Sequence, residues 1–371
     1  MSGRTNVLFV ATNGVGMGHL VRALAVARRL PGDLQPVIAT FSTALSAVRH
    51  FGFPCEYLQG FKALEGDRDT WHAHLETEIG ALLDMHRATA LVFDGNSPYA
   101  GLLQAVGARR DCRLVWIRRG MWKAEHGQSF LVDQRFCDVV IEPGDVAQAA
   151  DTGPTRTARQ GMAQPLLYRD VPPITLLDRD ELASREEARR ELGLSHHEKA
   201  VLVHLGSGNI ASSYDVVREV IEALRRRGDL KIFLAEWQIA ERSMALWEDV
   251  RDLSVFPLAR LLRAFDFSVG AAGYNSIHDM VNAALPTLII PGAHPQLDDQ
   301  GARARYLAEA GAALFLPGSD LTGLDHAIGR LMDVGERQAM TARLVAIGPP
   351  NGAKAAAELV AAVAREAASV T

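Results

Sequence analysis

The sequence predicts an α/β protein of two doubly wound, Rossmann-like domains, each built on a parallel sheet. With 371 residues the chain is too long for one ordinary core. Short, almost wholly apolar runs recur along both halves, and stretches of helical period separate them. Apolar strands that alternate with helices are typical of parallel sheets covered on both faces.

Six apolar runs predict the strands of the first domain, which we expect to span residues 1–165. They lie at 7–12, 36–41, 55–58, 90–95, 113–119 and 139–144. After the first run, Leu20, Leu24, Ala27 and Leu30 recur at helical spacing, so the first helix begins near residue 19.

The second half repeats this plan over residues 199–348. Its runs lie at 200–206, 231–236, 253–258, 267–273, 286–292 and 312–318. Residues 166–198 are rich in proline and charge, which predicts an interdomain linker followed by a helix. The alanine-rich residues 349–371 predict a terminal helix packed back onto the body. Because ligands bind at the carboxyl ends of such strands, functional residues are expected in the loops that follow them.

Charge and cysteine content disfavour several classes of protein. A net charge of −5 with scattered arginines disfavours nucleic acid as a partner, which needs a clustered basic face. Cys55, Cys112 and Cys137 have no CxxC spacing, which predicts free thiols in a reducing compartment. With no leader before the first strand and no apolar run near 18 residues, we expect a cytoplasmic protein.

A glycine-rich turn follows the first strand and leads into a helix at His19. The spacing of Gly14, Gly16 and Gly18 is not GxGxxG, and no acidic residue ends the second strand, which disfavours a dinucleotide. No GxxxxGK[ST] phosphate loop is present either. His19 is therefore a candidate general base, or a histidine that only bonds a loop carbonyl.

Asp94 ends the fourth predicted strand, at the same sheet edge as His19. A carboxylate there would orient the imidazole and stabilise its protonated form. The alternative is an N-cap for the helix that begins near Pro98. Covalent hydrolase chemistry is disfavoured because no GxSxG elbow accompanies the pair.

The segment after the fourth strand of the second domain predicts a diphosphate site. Gly273, Asn275 and Ser276 open a helix, whose N-terminus suits anionic groups. One turn later, Asp279 is placed to accept both hydroxyls of a ribose. The alternative is a structural strand–turn–helix with a capped helix.

Polar residues also follow the next strand, at Asp298, Asp299 and Gln300. Paired acceptors and an amide suit the hydroxyls of a pyranose ring, so a sugar site is predicted there. An exposed acidic loop is the alternative.

The two motifs together resemble GT-B glycosyltransferases of the family 1 and family 28 types. That group includes the UDP-glycosyltransferases and the peptidoglycan lipid-intermediate N-acetylglucosaminyltransferase. The resembling positions are Gly273-Tyr274-Asn275-Ser276-x-x-Asp279, Pro286, Pro291 and Asp299-Gln300, against the pattern G-[W/Y]-N-S/T-x-x-E, Pro, Pro and D-Q. The first motif, which ends at Arg22, is similar to the group's N-terminal glycine loop.

The resemblance implies two Rossmann-like domains that face each other across a cleft. His19 would be the general base and Asp94 its partner. Asn275 and Ser276 would hold the donor phosphates, and Asp279 the ribose. The further residues that the resemblance assigns to donor binding are Gly16, Gly18, Gly206, Ser207, Gly208, Phe256, Gly273, Asp299 and Gln300.

Three positions depart from the family pattern. Asp279 stands where most members have Glu, one methylene longer. Ala271 replaces a histidine, which removes a phosphate donor. Pro257 offers no N–H where backbone atoms usually recognise the base, in the loop around Phe256.

The predicted reaction is sugar transfer from a nucleotide sugar, a substrate for which UDP is the commonest nucleotide in the resembling families. No Asp-x-Asp follows a strand of the first domain, so we expect no metal and no other cofactor. A single base without a carboxylate nucleophile favours one displacement, with inversion. The alternatives are a nucleotide-sugar hydrolase or epimerase, and a non-catalytic donor-binding subunit.

The acceptor is expected to be a small molecule or lipid-linked molecule with a hydroxyl group. The aromatic residues Trp71, Trp116, Trp122 and Tyr99 suggest an apolar or aromatic acceptor, or else belong to the core. Basic residues suggest a peripheral membrane contact, or else a solvated face. They are Arg109, Arg110, Arg118, Arg119 and Lys123.

Overall fold

The chain folds into two compact units in the computed structural model. The structure describes residues 5–12, 16–61, 67–158, 168–205, 212–235, 247–292 and 298–369. The first unit comprises residues 1–144, 152–176 and 351–371. The second comprises residues 145–151 and 177–350. Each unit contains one parallel sheet, which confirms the predicted fold class.

The sheet of the first unit has seven described strands in the order β3-β2-β1-β4-β5-β6-β7. They are β1 (Thr5–Ala11), β2 (Leu34–Thr40), β3 (Cys55–Tyr57), β4 (Ala88–Asp94), β5 (Arg113–Ile117), β6 (Val139–Pro143) and β7 (Tyr168–Val171). From β1 the chain adds strands toward one edge of the sheet, and from β4 it adds them toward the other edge. The topological switch point therefore lies between these two parallel strands. Ala11 and Asp94 are paired at this point.

The sheet of the second unit has six described strands in the order β10-β9-β8-β11-β12-β13. They are β8 (Lys199–His204), β9 (Leu230–Ala235), β10 (Val250–Leu253), β11 (Phe267–Gly270), β12 (Thr287–Ile289) and β13 (Leu314–Phe315). Here the switch lies between β8 and β11, where His204 pairs with Gly270. Ligands of such sheets bind at these points.

Helices cover both sheets. In chain order they are α1 (Gly18–Ala27), α2 (Leu45–His50), α3 (Arg68–His86), α4 (Ala100–Gly107), α5 (Pro154–Ala158), α6 (Arg185–Glu191), α7 (Ser212–Arg225), α8 (Tyr274–Ala283), α9 (Gln300–Glu309), α10 (Leu324–Met332), α11 (Val334–Ile347) and α12 (Ala353–Ala368). The strands at the switch points are largely buried on both faces, which explains their mostly apolar sequence.

The structure divides the chain differently from the predicted boundaries. Strand β7 lies within the predicted linker and pairs with β6, so the first sheet extends to Val171. Residues 145–151 belong to the second unit although their neighbours on both sides belong to the first. Helix α12 packs on the first unit, where the carbonyl of Ala364 accepts a hydrogen bond from Thr89.

One predicted strand is displaced. The expected strand at 253–258 is wrong, since β10 is Val250–Leu253. This is an edge strand whose Arg251 and Asp252 are exposed, so it lacks the apolar sequence of the inner strands. No described helix is long and apolar enough to cross a bilayer.

Candidate active site and donor-binding residues

Helix α1 presents two polar side chains to the end of β4. His19 and Arg22 are three residues apart, so they share one face of the helix. The first turn of α1 contains no acidic residue, and its N-cap residue Met17 makes no side-chain capping hydrogen bond. A Cβ on Gly16 would meet no described residue within 4 Å, and Gly18 is the first residue of the helix.

His19 and Asp94 form a close pair. His19 Nδ1 lies 2.7 Å from Asp94 Oδ1, and Asp94 is completely buried. Because a carboxylate only accepts hydrogen bonds, Nδ1–H donates to Asp94 and Nε2 carries the lone pair. The structure gives Nε2 no hydrogen-bond partner within the ranges that it describes. The pair therefore has the arrangement of a general base with its orienting carboxylate.

Arg22 completes this cluster. Sequence analysis did not assign a role in the site to this residue. Its guanidinium donates to Asp94 Oδ1 and lies 3.1 Å from His19 Nδ1. Arg22 is 2% exposed, whereas the side chain of His19 is 12% exposed. The i, i+3 spacing to His19 was the available sequence signal, because it places both side chains on one helix face.

Burial is the main reason why the pKa of His19 is low enough to keep the imidazole neutral. Burial lowers the pKa of His19, and although the hydrogen bond and charge of Asp94 raise it, Arg22 and Arg119 lower it again, so the net shift is downward. A neutral imidazole can accept a proton at physiological pH. The cluster is therefore suited to removing a proton from a hydroxyl group.

The alternative roles for these residues are wrong. Asp94 does not cap α4, whose N-cap is Tyr99. His19 bonds Asp94 rather than a loop carbonyl.

The tryptophans of the first unit belong to its interior. Trp71, Trp116 and Trp122 are all buried. Trp71 donates to the carbonyl of Gln59 and Trp116 to that of Gly95, which accounts for their polar atoms. Tyr99 is half-buried and packs edge-on against Trp71. The core explanation holds for the three tryptophans.

Arg118 does not belong to a solvated surface. Its side chain is completely buried and donates to Glu142 at 2.6 Å and to Gln134 at 3.0 Å. A buried ion pair replaces the predicted exposed charge.

In the second unit, the beginning of α8 carries the predicted phosphate-binding residues. Gly273 is the N-cap, no side chain caps the helix, and no acidic residue lies in the first turn. Asn275 and Ser276 are half-buried on this first turn. At φ −64°, Gly273 has a conformation open to any residue, and an added Cβ would meet only Ser276 Oγ at 3.9 Å. The described residues therefore do not require glycine there, whereas close approach by a ligand would.

Asp279 lies on the same face of α8, four residues after Asn275. Burial raises its pKa to about 7. It has no hydrogen-bond or ion-pair partner among the residues that the structure describes. A half-buried carboxylate without a partner is costly to the fold, which marks it as a candidate binding residue.

The three polar residues after β12 have different environments. Asp298 is buried and paired with Arg303. Asp299 caps α9, because its Oδ1 accepts from the backbone N–H of Ala302 at 2.9 Å. Gln300 Oε1 accepts from the backbone N–H of Gly292 at 3.4 Å. Sugar contacts by Asp299 and Gln300 stay predictions.

Several predicted residues are not tested by this geometry. Gly206, Ser207 and Gly208 lie outside the described residues. Phe256 follows β10 and is half-buried, and its role in base recognition stays a prediction. In the described ranges no three His, Cys, Asp or Glu side chains come together as metal ligands.

Sequence comparison matches part of the chain. Residues 214–360 match the glycosyltransferase family 28 C-terminal domain. Two relatives carry the name UDP-N-acetylglucosamine–N-acetylmuramyl-(pentapeptide) pyrophosphoryl-undecaprenol N-acetylglucosamine transferase. The one from Synechococcus elongatus is 31% identical over 37% of this chain and 39% of its own. The one from Bacillus licheniformis is 27% identical over 44% of this chain and 47% of its own. The matched segments thus span less than half of either relative.

Solved structures resemble the chain along almost its whole length. MurG of Acinetobacter baumannii superposes with a TM-score of 0.61 at 16% identity, covering 96% of this chain and 99% of its own. Spinosyn rhamnosyltransferase SpnG, complexed with thymidine diphosphate, gives 0.60 at 16% identity, covering 96% and 100%. At such identities the likeness concerns the fold. The chain has the GT-B fold, and the stretch that matches the family 28 C-terminal domain includes helix α8 and the residues predicted to bind the donor there.

Proposed function

We propose that the protein is a glycosyltransferase that moves a sugar from a nucleotide diphosphate to a hydroxyl group of a small or lipid-linked acceptor. The second unit binds the donor, and the first supplies the base. UDP is the first candidate nucleotide, because the curated relatives are named for a UDP-sugar donor. We propose further that the reaction inverts the anomeric carbon, needs no metal ion and takes place in the cytoplasm.

The observation that carries this proposal is the beginning of α8. It combines a helix N-terminus that has no side-chain cap, a glycine that the described residues do not require, and the carboxylate of Asp279, which has no partner among those residues. Helix N-termini bind phosphates through backbone N–H groups and the helix dipole. Asp279 is placed to accept hydrogen bonds from ribose hydroxyls. The match to the family 28 domain over the same residues supports this assignment.

The proposed reaction is a single displacement. His19 Nε2 takes the proton of the acceptor hydroxyl while its oxygen attacks the anomeric carbon. The bond from that carbon to the diphosphate breaks, and the leaving oxygen keeps the electron pair. Asp94 stabilises the imidazolium that forms, and the beginning of α8 stabilises the leaving diphosphate.

A donor screen tests the proposal. Thermal shift with UDP, TDP, GDP and their common sugar conjugates should raise the melting temperature for one nucleotide class, because a ligand that binds the native state stabilises it. No shift with any of these nucleotides would contradict it.

Nucleotide release from the selected donor separates transfer from hydrolysis. A transferase releases nucleotide quickly only when an acceptor is added, and lipid-linked and aromatic hydroxyl compounds are the first to try. Rapid release from the donor alone would instead favour a nucleotide-sugar hydrolase, with water in place of the acceptor.

A further inference from the structure

We infer that Arg303 is a positioning residue that holds the beginnings of α8 and α9 in place for donor binding. The inference rests on the proposed function, since these two helix starts carry the proposed phosphate, ribose and sugar contacts.

Arg303 is completely buried and binds three separate segments of the second unit. Its Nη1 donates to the carbonyl of Ala272 at 2.7 Å. Both terminal nitrogens bind Asp298, at 2.8 and 3.1 Å. Its Nε donates to Asp145 Oδ2 at 2.9 Å.

The positions of these partners connect Arg303 to the proposed site. Ala272 directly precedes Gly273, the N-cap of α8, and Asp298 directly precedes Asp299, the N-cap of α9. One planar guanidinium therefore bonds the residue before each helix start. Because its donors have a fixed geometry, it holds the carbonyl of Ala272 and the carboxylate of Asp298 in a fixed relative position, which a flexible ammonium would not do.

Arg303 also offsets negative charge behind the proposed diphosphate site. Asp145 and Asp298 are both buried, and the nearby His278 is uncharged, because burial lowers its pKa. His278 Nε2 accepts a hydrogen bond from the backbone N–H of Val146 at 3.0 Å. Without the guanidinium, two carboxylates would lie close to the place proposed for an anion, and their repulsion would weaken its binding.

A purely structural role would also explain a buried arginine, so a matched control is needed. Arg189 is a second buried arginine of the same unit, and it donates to the carbonyls of Ala264, Ser195 and Glu198. These three carbonyls lie just before the amino ends of β11 and β8. Helix α8 begins after the carboxyl end of β11, so Arg189 lies at the opposite end of the strands. Losing Arg189 should destabilise the unit without affecting donor binding.

The experiment compares Arg303→Lys and Arg189→Lys in the full chain. Calorimetric titration with UDP and UDP-N-acetylglucosamine is done well below the melting temperature of each variant. Both variants should melt earlier than the wild type. Arg303→Lys should raise the Kd of UDP by about tenfold or more, as expected for a misplaced binding group. Arg189→Lys should leave it within about twofold, as distant sites are independent.

Asp298→Asn provides a second, milder variant that keeps a hydrogen-bonding side chain beside Arg303. Because Asp298 adjoins only the beginning of α9, the Kd of UDP-N-acetylglucosamine should rise more than that of UDP. In Arg303→Lys both should rise.

The outcomes separate the inference from the proposed function. Two outcomes would overturn the positioning role alone, provided that the wild type binds UDP. One is an unchanged Kd in Arg303→Lys. The other is an equal loss of UDP affinity in the Arg303 and Arg189 variants. If Arg303→Lys does not fold, equal effects of Asp298→Asn on both ligands would overturn it. A wild type that binds neither ligand would contradict the proposed UDP site and this inference with it.

Discussion

At the scale of single residues, Asp279 is a half-buried acidic group that no described residue neutralises or hydrogen-bonds. Its pKa of about 7 means that ionisation costs stability, because the unfolded chain ionises the same group near pH 4. The cost is fully present above pH 7 and disappears as the pH falls toward 4. Residues that reduce stability in this way are often retained for binding.

We predict that Asp279→Asn makes the protein more stable and worse at binding nucleotide. The melting temperature should rise at pH 8 by several degrees, since about 1 kcal/mol moves it by roughly 2–4 °C in domains of this size. The rise should shrink at pH 5. The Kd of UDP should increase by about tenfold or more, as expected when a charged hydrogen bond is lost. Unchanged affinity would exclude Asp279 from the site.

Arg22 is one of the groups that keep His19 uncharged, in addition to the larger effect of burial. Its charge lowers the pKa of His19, so Arg22→Gln should raise that pKa and move the acidic limb of kcat/KM to higher pH. NMR titration of His19 checks the shift independently of turnover. Arg49→Gln removes an exposed arginine from helix α2 as the control. A pKa that moves equally in both variants would exclude a specific role for Arg22.

Sequence analysis identified His19, Asp94 and Asp279 because each follows a strand in a recognisable turn or helix start. It did not identify Arg303, whose partner Asp145 is 158 positions away. For the same reason it placed Arg118 on the surface, although the side chain is buried against Glu142. Buried ion pairs depend on tertiary proximity, which no local pattern encodes.

At the scale of elements, a substitution at the beginning of α8 should affect nucleotide affinity without lowering stability. Gly273→Ala adds a methyl group that would meet only Ser276 Oγ among the described residues, at an ordinary φ, so stability should stay the same or rise slightly. The added methyl would meet a phosphate at the helix start, so nucleotide affinity should fall by about tenfold or more.

Gly329→Ala is the matched control for this prediction. Gly329 lies in helix α10, and a Cβ added there would meet only Arg227 Nη2 among the described residues, at 3.9 Å. This substitution should therefore lower neither stability nor nucleotide affinity. Titration with UDP and thermal melting together check both variants. If Gly273→Ala bound UDP normally, the phosphate assignment would be excluded.

Which strands are predictable depends on where they lie in a sheet. The inner strands β1, β4, β8 and β11 are largely buried on both faces and so have mostly apolar sequences. The edge strand β7, with sequence YRDV, has charged residues and was interpreted as part of a linker. Edge strands carry little of the pattern on which prediction depends.

At the scale of the whole molecule, buried neutral histidines set the response to acid. Burial lowers the pKa of His204 to about 4, and also lowers that of His278. The unfolded chain binds these protons near pH 6.5, so their contribution to stability is complete above that pH and is lost as the pH falls toward 4. Asp279 acts in the opposite direction between pH 7 and 4.

We predict that His204→Gln makes stability less sensitive to acid. The melting temperature of the wild type minus that of the variant should decrease between pH 7 and pH 4.5, because only the wild type must keep this imidazole uncharged. Taking the difference removes the contribution of Asp279, which both proteins share. A difference that is constant over this range would show that His204 does not titrate on unfolding.

The first unit of the GT-B fold contains the proposed imidazole base, and the second contains the proposed donor site. The central claim is that these units perform separate steps, base catalysis and donor binding. The most direct test is to measure sugar transfer and nucleotide Kd on His19→Ala beside the wild type. We predict that transfer falls by a factor of about 10² to 10⁴, the usual contribution of a general base, while the Kd stays unchanged. Transfer by His19→Ala at close to the rate of the wild type would contradict the account.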